Sequence, residues 1–151
     1  MSTEVKTTPA AIYREEITVP DSAIDENGHV NNVAFVQWMQ DVATRHFDAV
    51  GGRAAMHTAG GAWVVRSHNV EYLLPAFAGE RLQVLTWVAN FNRALSLRRY
   101  RFLRASDGKT LVRGETQWVF VSTATGRPLR IPVELQQAFP VLPKEEEPQE
   151  R

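Results

Sequence analysis

Hydrophobic and polar residues alternate along the second half of the chain, and this alternation restricts the fold more than any other feature. From residue 61 onward the period is two, the spacing of a β-strand with one buried face. In the last stretch, for example, Val112, Gly114 and Thr116 share one face. Turn residues, including the hairpin signal Ser106-Asp107-Gly108, divide the region. The sequence therefore predicts four antiparallel strands, at residues 62–74, 81–90, 94–105 and 110–123.

One long amphipathic helix precedes these strands. Either Asn31 or Asn32 is a suitable N-cap, and Gly51-Gly52 supplies the C-terminal stop. A glycine- and alanine-rich loop then leads to residue 61. Apolar residues recur at helical spacing between residues 32 and 50, which predicts a helix over that range with this apolar stripe: Phe35, Val36, Met39, Val42, Ala43, Phe47 and Val50.

The remaining segments complete a single domain. Residues 12–19 form a first strand that ends at a Pro-Asp turn, and residues 132–139 form a last short helix. We expect an α+β fold at residues 11–142, in which a curved antiparallel sheet of about five strands wraps around the long helix. Residues 1–10 and 143–151 are polar or charged, and we expect them to be flexible tails.

The composition narrows the function classes. Seventeen basic residues balance seventeen acidic ones, which gives no electrostatic reason to expect nucleic acid or a membrane surface as a partner. No stretch approaches the roughly 20 apolar residues of a membrane-spanning helix. The sequence has no cysteine, which excludes disulfides, thiol nucleophiles and zinc-thiolate sites. His46, His57 and His68 show no metal-ligand spacing with one another. We therefore expect a cytoplasmic protein without a metal or a cofactor.

An acidic, asparagine-rich loop lies immediately before the long helix. Its sequence is Asp25-Glu26-Asn27-Gly28-His29-Val30-Asn31-Asn32, followed by Phe35 and Trp38. This pattern resembles the D-x-x-G-H-V-N-N-x-x-Y/F-x-x-W signature of the 4-hydroxybenzoyl-CoA thioesterase-like family and its acyl-CoA and acyl-carrier-protein thioesterase relatives. The likeness extends over about residues 12 to 140 and implies the hotdog fold. Without it, Asp, Asn and Gly at this position are typical of an ordinary turn and helix cap.

The resemblance implies a thioester hydrolase acting on an acyl-CoA or acyl-carrier-protein substrate. It gives Asp25 the catalytic role, either by attacking the carbonyl or by activating a water, and the sequence does not choose between these. Asn27 and His29 would orient substrate and water, and Gly28 would let the backbone approach the ligand. The N-terminus of the helix would stabilise the oxyanion. The predicted substrate-binding residues are Asn32, Phe35, Trp63 and Arg93.

Two further implications concern binding and assembly. Seven basic residues occur between residues 92 and 113, and most of them fit a solvated face of the sheet. Arg93 differs because it occupies a turn between two strands, where the family often places basic residues against the CoA phosphates. The resemblance also implies a homodimer or homotetramer with the acyl group between subunits.

Two other functions compete with hydrolysis. Asp25-x-Asn27-x-His29 is similar to the Asp-x-Asn-Pro-x-His motif of hotdog enoyl-CoA hydratases, but here the histidine is one residue closer and proline is missing. A different spacing would not hold one activated water in the same geometry. A non-catalytic acyl-CoA-binding domain is the second alternative. It would normally accompany a DNA-binding or signalling domain.

Overall fold

The computed structural model describes residues 10–149. None of the helices in that range is long and apolar enough to cross a membrane. Short 3-10 turns occur at Asp21–Ala23 and Lys144–Glu146. The main elements, in chain order, are β1 (Tyr13–Thr18), α1 (Asn32–Ala49), α2 (Gly52–Thr58), β2 (Gly61–Tyr72), β3 (Arg81–Asn92), β4 (Leu95–Arg104), β5 (Thr110–Ser122) and α3 (Val133–Ala138).

The five strands form one antiparallel sheet. Their order is β1-β3-β4-β5-β2, so β2, with its 12 residues, lies at one edge and the shorter β1 at the other. On β5 the residues that alternate toward the core, such as Val112, Gly114 and Thr116, are buried. The predicted period-two pattern and its buried face are confirmed.

Helix α1 packs its apolar stripe against one face of this sheet. The buried side chains of the helix are Phe35, Met39, Val42, Ala43 and His46. They join strand residues such as Val84 and Phe102 in the main core. The predicted α+β architecture, one sheet packed around a long helix, is confirmed. The buried stripe differs from the predicted one in including His46, while Val36, Phe47 and Val50 are only half-buried.

Helix α2 was not predicted, because its residues were expected to form a loop; that prediction is wrong. Gly51 has a φ of 74°, a left-handed conformation that ends α1 and immediately precedes the new helix. Gly52 lies against the ring of Phe47, so closely that a Cβ atom would be only 2.5 Å from it. Ala54, Ala55 and Met56, in the middle of α2, are good helix formers. The two glycines therefore make a sharp corner between two helices.

The C-terminal segment lies against the face of the sheet opposite α1. The Leu142 N–H donates to the Val88 carbonyl at 3.0 Å, and Leu142 joins Leu85 and Trp87 in a small second core. Trp87 Nε1 donates to Glu147 at 3.3 Å. The flexible tail at residues 143–151 and the domain limits stay predictions. The predicted N-terminal tail, residues 1–10, falls outside the described residues except for Ala10.

Candidate functional site

The loop before α1 is a small hairpin. Ile24 and Val30 form an isolated antiparallel bridge, and the Asp25 N–H donates to the His29 carbonyl at 3.1 Å. The loop is also tied to its surroundings, because the Val30 N–H donates to Ala76 at 2.8 Å. These backbone bonds hold Asp25 and His29 opposite each other, close to the start of the helix.

The carboxylate of Asp25 shapes the tip of this hairpin. Its Oδ1 accepts a hydrogen bond from the Asn27 N–H at 2.9 Å, an Asx turn. Its Oδ2 has no hydrogen-bond partner among residues 10–149. The side chain is half-buried. One oxygen therefore fixes the turn while the other is available to a water or a substrate.

Gly28 occupies a conformation that a side chain would strain. Its φ is +80°, and no atom lies within 4 Å of the position a Cβ would take. The glycine is therefore required by the backbone angle rather than by crowding. Asn27 and Gly28 are both exposed at the tip, which is consistent with close approach of a ligand there.

The N-terminus of α1 begins beside this hairpin. Asn31 is the N-cap, and its Oδ1 accepts from the Val33 N–H at 2.9 Å. The N–H of Asn32, at the first helical position, has no acceptor in the described part of the chain. Free N–H groups and the helix dipole favour negative charge at this end. The hairpin thus places a carboxylate beside a free backbone N–H group at the start of α1.

An exposed apolar patch, which was not predicted from the sequence, surrounds the hairpin. His29 packs edge to face on Phe77, with ring centroids 6.5 Å apart. The Tyr72 hydroxyl donates to the Asn32 carbonyl at 2.9 Å. The available signal was the run of apolar residues at the end of β2 that interrupts the alternation. The patch comprises Val33, Tyr72, Leu73, Leu74 and Phe77, which are 39% to 71% exposed.

Phe35, a predicted substrate-binding residue, lies in the core. It is 2% exposed and packs edge to face on Trp38 and Phe102, with ring centroids 5.2 Å apart in each pair. Its ring therefore supports the first turn of α1. Any contact with a substrate would need these rings to move.

The other end of α1 covers a cavity of about 260 Å³. Trp63, predicted to bind substrate, forms part of its wall and packs on Phe120 at 5.1 Å. At about 1.5 Å per residue, the 15 residues from Asn32 to Phe47 place this cavity roughly 20 Å along the helix from the hairpin. A single chain therefore does not bring Trp63 and Asp25 together. The wall comprises Ala43, Thr44, Phe47, Arg53, Met56, Ala62, Trp63, Val88, Phe91, Ser96, Arg98, Trp118 and Phe139.

Arg93 lies at the same end of the molecule as the cavity. It sits in the tight turn between β3 and β4 with a φ of 57°, a left-handed conformation uncommon outside glycine. Its carbonyl accepts from the Ile131 N–H at 2.9 Å, which brings the backbone of Arg130 beside it. Both arginine side chains are exposed. The predicted turn position is confirmed, and Arg130 is a second cation that the sequence alone did not connect with it.

A buried pair of polar side chains, His46 and Arg98, lies between α1 and β4. Arg98 Nη1 contacts His46 Nδ1 at 2.9 Å and Thr86 Oγ1 at 3.2 Å. Burial, together with the neighbouring guanidinium, lowers the pKa of His46 to about 3. The imidazole is therefore neutral at physiological pH, and its Nδ1 accepts the hydrogen bond from arginine. The ring also stacks on Tyr13, with centroids 4.8 Å apart.

Comparison with known proteins places this architecture in a family. The model of the thioesterase-like superfamily matches residues 19–139, which include the hairpin, α1 and the cavity. No curated protein sequence matches the chain.

Solved structures share the fold at low sequence identity. A 1,4-dihydroxy-2-naphthoyl-CoA thioesterase from Synechocystis is 18% identical, with a TM-score of 0.77 over 85% of this chain and 95% of its own. A mutant 4-hydroxybenzoyl-CoA thioesterase in complex with 4-hydroxybenzoyl-CoA is 16% identical, with a TM-score of 0.78 over 87% of this chain and 100% of its own. A putative oleoyl thioesterase from Lactobacillus plantarum is 20% identical, with a TM-score of 0.82 over 93% of this chain but 55% of its own.

The family match spans most of the domain, and the fold is that of the structures just named. The chain therefore belongs to the thioesterase-like superfamily and is a thioester hydrolase.

Proposed function

We propose that the protein hydrolyses an acyl-CoA or acyl-carrier-protein thioester, with Asp25 as the catalytic carboxylate and the N-terminus of α1 as the oxyanion site. The observation that carries this proposal is the hairpin that sets Asp25 directly before the helix in a chain of the thioesterase-like superfamily. Asn27, Gly28 and His29 belong to the same hairpin, and in this proposal they position water and substrate.

The chemistry of a thioester suits so small a site. A thiol with a pKa of about 8.5 leaves as thiolate much more readily than an alkoxide does, so the leaving group needs little protonation. The main requirements are a nucleophile and stabilisation of the carbonyl oxygen. Asp25 Oδ2 supports the first, as a nucleophile or as the base for a water, and the Asn32 N–H supports the second.

We further propose a homodimer formed through the edge strand β2. A 12-residue edge presents unpaired backbone groups that a second copy would satisfy by antiparallel pairing. The exposed apolar patch at the end of this strand supports the same surface. A dimer of dimers would use further surfaces of the same subunits.

Antiparallel pairing of β2 would also unite the separated site residues. The Tyr72 end of the strand is bonded to Asn32 at the start of α1, next to the hairpin, and the Trp63 end borders the cavity. In a twofold arrangement the Tyr72 end of one copy faces the Gly61 end of the other. Each hairpin would then meet the neighbouring subunit's cavity wall. The acyl group would lie between the subunits, with Trp63 in its wall.

Arg93 would contact the phosphates of CoA in this arrangement. It is two residues from Phe91, which lines the cavity, and Arg130 lies next to it. Two exposed guanidinium groups give the diphosphate charge-assisted hydrogen bonds. A cytoplasmic location is also part of the proposal, because a chain without cysteine gains no disulfide in an oxidising compartment.

The deciding experiment is a substrate panel on the purified full chain. Release of free thiol would be followed with a thiol reagent for short, long and aromatic acyl-CoAs and for an acyl-carrier-protein thioester. Loss of enoyl absorbance would be followed in parallel. Thiol release that depends on Asp25 supports the proposal. Enoyl hydration without thiol release would make the chain a hydratase, and binding without either reaction would make it a sensor.

A further inference from the structure

Arg98 is a buried cation for which residues 10–149 supply no carboxylate. Arg98 is 5% exposed, and within the described residues its side chain contacts neutral groups: His46, Thr86 and the ring of Phe139 at 5.4 Å. Both hydrogen bonds use Nη1, and within the described residues neither Nη2 nor Nε has an acceptor. A buried charge without a counter-ion is costly, and in most proteins such a group is paired.

The neighbouring arginine, Arg99, is paired with carboxylates, as is usual for a partly buried cation. Arg99 points to the opposite face of the sheet and forms ion pairs with Glu115 and Glu147. Arg98, one residue earlier, faces the cavity under α1. The cavity wall contains two arginines and no acidic residue, and Arg53, the other arginine, is paired with Asp48 at 3.0 Å. The unpaired positive charge of this cavity is therefore that of Arg98.

The rest of the cavity defines what would fit beside that charge. Its walls are mostly aromatic and aliphatic, and Thr44 and Ser96 contribute hydroxyl groups; Ser96 lies two residues before Arg98 on β4. At about 260 Å³ it is near the lower end of small-molecule pockets, roughly 300 to 1,000 Å³. A short aliphatic or single-ring group would fill it. A carboxylate at the end of that group would meet the free guanidinium donors, and this pairing is frequently bidentate.

We infer that this cavity binds a carboxylate-bearing ligand through Arg98. The carboxylate comes from one of two sources: the far end of an acyl group whose other end is the thioester, or a free carboxylic acid. The first source rests on the function proposed above and makes the substrate a monothioester of a dicarboxylic acid. His46 and Thr86 hold Nη1 in place and leave the remaining donors to the ligand.

The thioester arm of the test compares matched substrates. Succinyl-, hexanedioyl- and octanedioyl-CoA would be assayed beside butanoyl-, hexanoyl- and octanoyl-CoA with the wild-type chain and with Arg98→Met. We expect the wild type to prefer a dicarboxylic member. Arg98→Met should lower the ratio of kcat/KM for that substrate to kcat/KM for its monocarboxylic partner about tenfold to a hundredfold, the scale of a hydrogen bond to a charged group. Arg99→Met is the matched control and should keep the preference.

The binding arm does not depend on catalysis. Benzoate and its neutral isostere benzamide would be titrated into the full chain by calorimetry. We expect benzoate to bind more tightly, and we expect Arg98→Met to remove the difference. Ser96→Asp is a second variant that keeps Arg98 and places a carboxylate beside it, so it should abolish benzoate binding in a folded protein.

The outcomes separate the two proposals. A dicarboxylic preference assigns the carboxylate to the acyl group, and benzoate selectivity without that preference assigns it to a free acid. Arg98-dependent benzoate binding in a protein that hydrolyses no thioester would overturn the proposed function and leave this inference standing. The inference is wrong if the wild type shows no Arg98-dependent preference for a dicarboxylic over a monocarboxylic acyl-CoA and none for benzoate over benzamide.

Discussion

At the scale of single residues, Asp25 combines a structural and a chemical role. Oδ1 accepts the Asn27 N–H and closes the turn, while Oδ2 lacks a partner among the described residues. An amide at this position keeps an oxygen for the turn but offers neither a base nor a useful nucleophile. The two roles can therefore be separated by one substitution.

Asp25→Asn should abolish most thioester hydrolysis in a folded protein. We expect kcat to fall about a hundredfold or more, the scale of a lost base or nucleophile, with acyl-CoA binding retained. Asp21→Asn, an exposed aspartate in the preceding 3-10 turn, is the matched control and should keep normal kcat. A lowered melting temperature with nearly normal kcat would show that Asp25 is only structural.

Arg93→Ala should weaken substrate binding without slowing the bound-state chemistry. A phosphate contact is made about equally in the ground and transition states, so its loss raises KM and spares kcat. We expect KM for acyl-CoA to rise about threefold to fivefold, the scale of an exposed ion pair. Arg93→Asn tests the charge in a residue that tolerates the left-handed backbone. Unchanged KM in both variants would assign Arg93 to the solvated surface.

At the scale of elements, the entry into α1 positions the candidate site. The sequence offered two adjacent asparagines as N-cap, and the backbone assigns the role to Asn31. Its carbonyl also accepts the Ala34 N–H at 3.0 Å, and its own N–H donates to Ala23 at 2.8 Å. These bonds join the hairpin to the helix, so Asn31 orients the site as well as capping the N-terminus of α1.

Asn31→Ala should destabilise the fold, whereas Asn32→Ala should not. Loss of the cap costs about 1 kcal/mol in the free energy of unfolding, because the Val33 N–H loses its acceptor. Asn32 occupies a helical position where alanine has the higher propensity. Urea unfolding of the two variants measures the difference. Equal losses of stability would mean that the cap is not set by Asn31.

At the scale of the whole molecule, one chain holds its candidate site residues at two ends of α1. Asp25 lies at the N-terminal end, and Trp63 and Arg93 lie at the other. The proposed pairing of β2 makes each site composite, with contributions from two subunits. This arrangement can be tested by mixing two defective chains.

Mixing Asp25→Asn chains with Trp63→Ala chains should restore part of the thioesterase activity that each variant lacks alone. The assay uses a substrate on which each variant alone is at least about tenfold impaired. In a random equimolar mixture half of the dimers are heterodimers, and each heterodimer has one intact site. Reassembled equimolar mixtures should therefore reach about a quarter of wild-type activity. Light scattering would establish the dimer beforehand. A monomer, or a mixture no more active than its components, would contradict the composite site.

The sequence determined the features that depend on local periodicity and local chemistry. Alternation predicted the strands, the apolar stripe predicted α1, and Asp25, Gly28 and the asparagines marked the loop before it. Helix α2 was missed because its start depends on the left-handed Gly51 and on the packing of Gly52 against Phe47. Glycine pairs in a sequence do not distinguish such a corner from a loop.

Only the tertiary structure decided which distant residues meet. In the sequence, Arg98 cannot be distinguished from the other basic residues of its segment. In the structure, the register of β4 places the Arg98 side chain toward the core and the Arg99 side chain toward the C-terminal segment. His46 likewise joined the buried stripe because Arg98 and Tyr13 lie opposite it. A polar residue becomes buried when its partners come from other strands, and those partners are separated from it by up to 52 residues along the chain. The local sequence pattern does not indicate which distant residues pair, because the register of the sheet strands determines it.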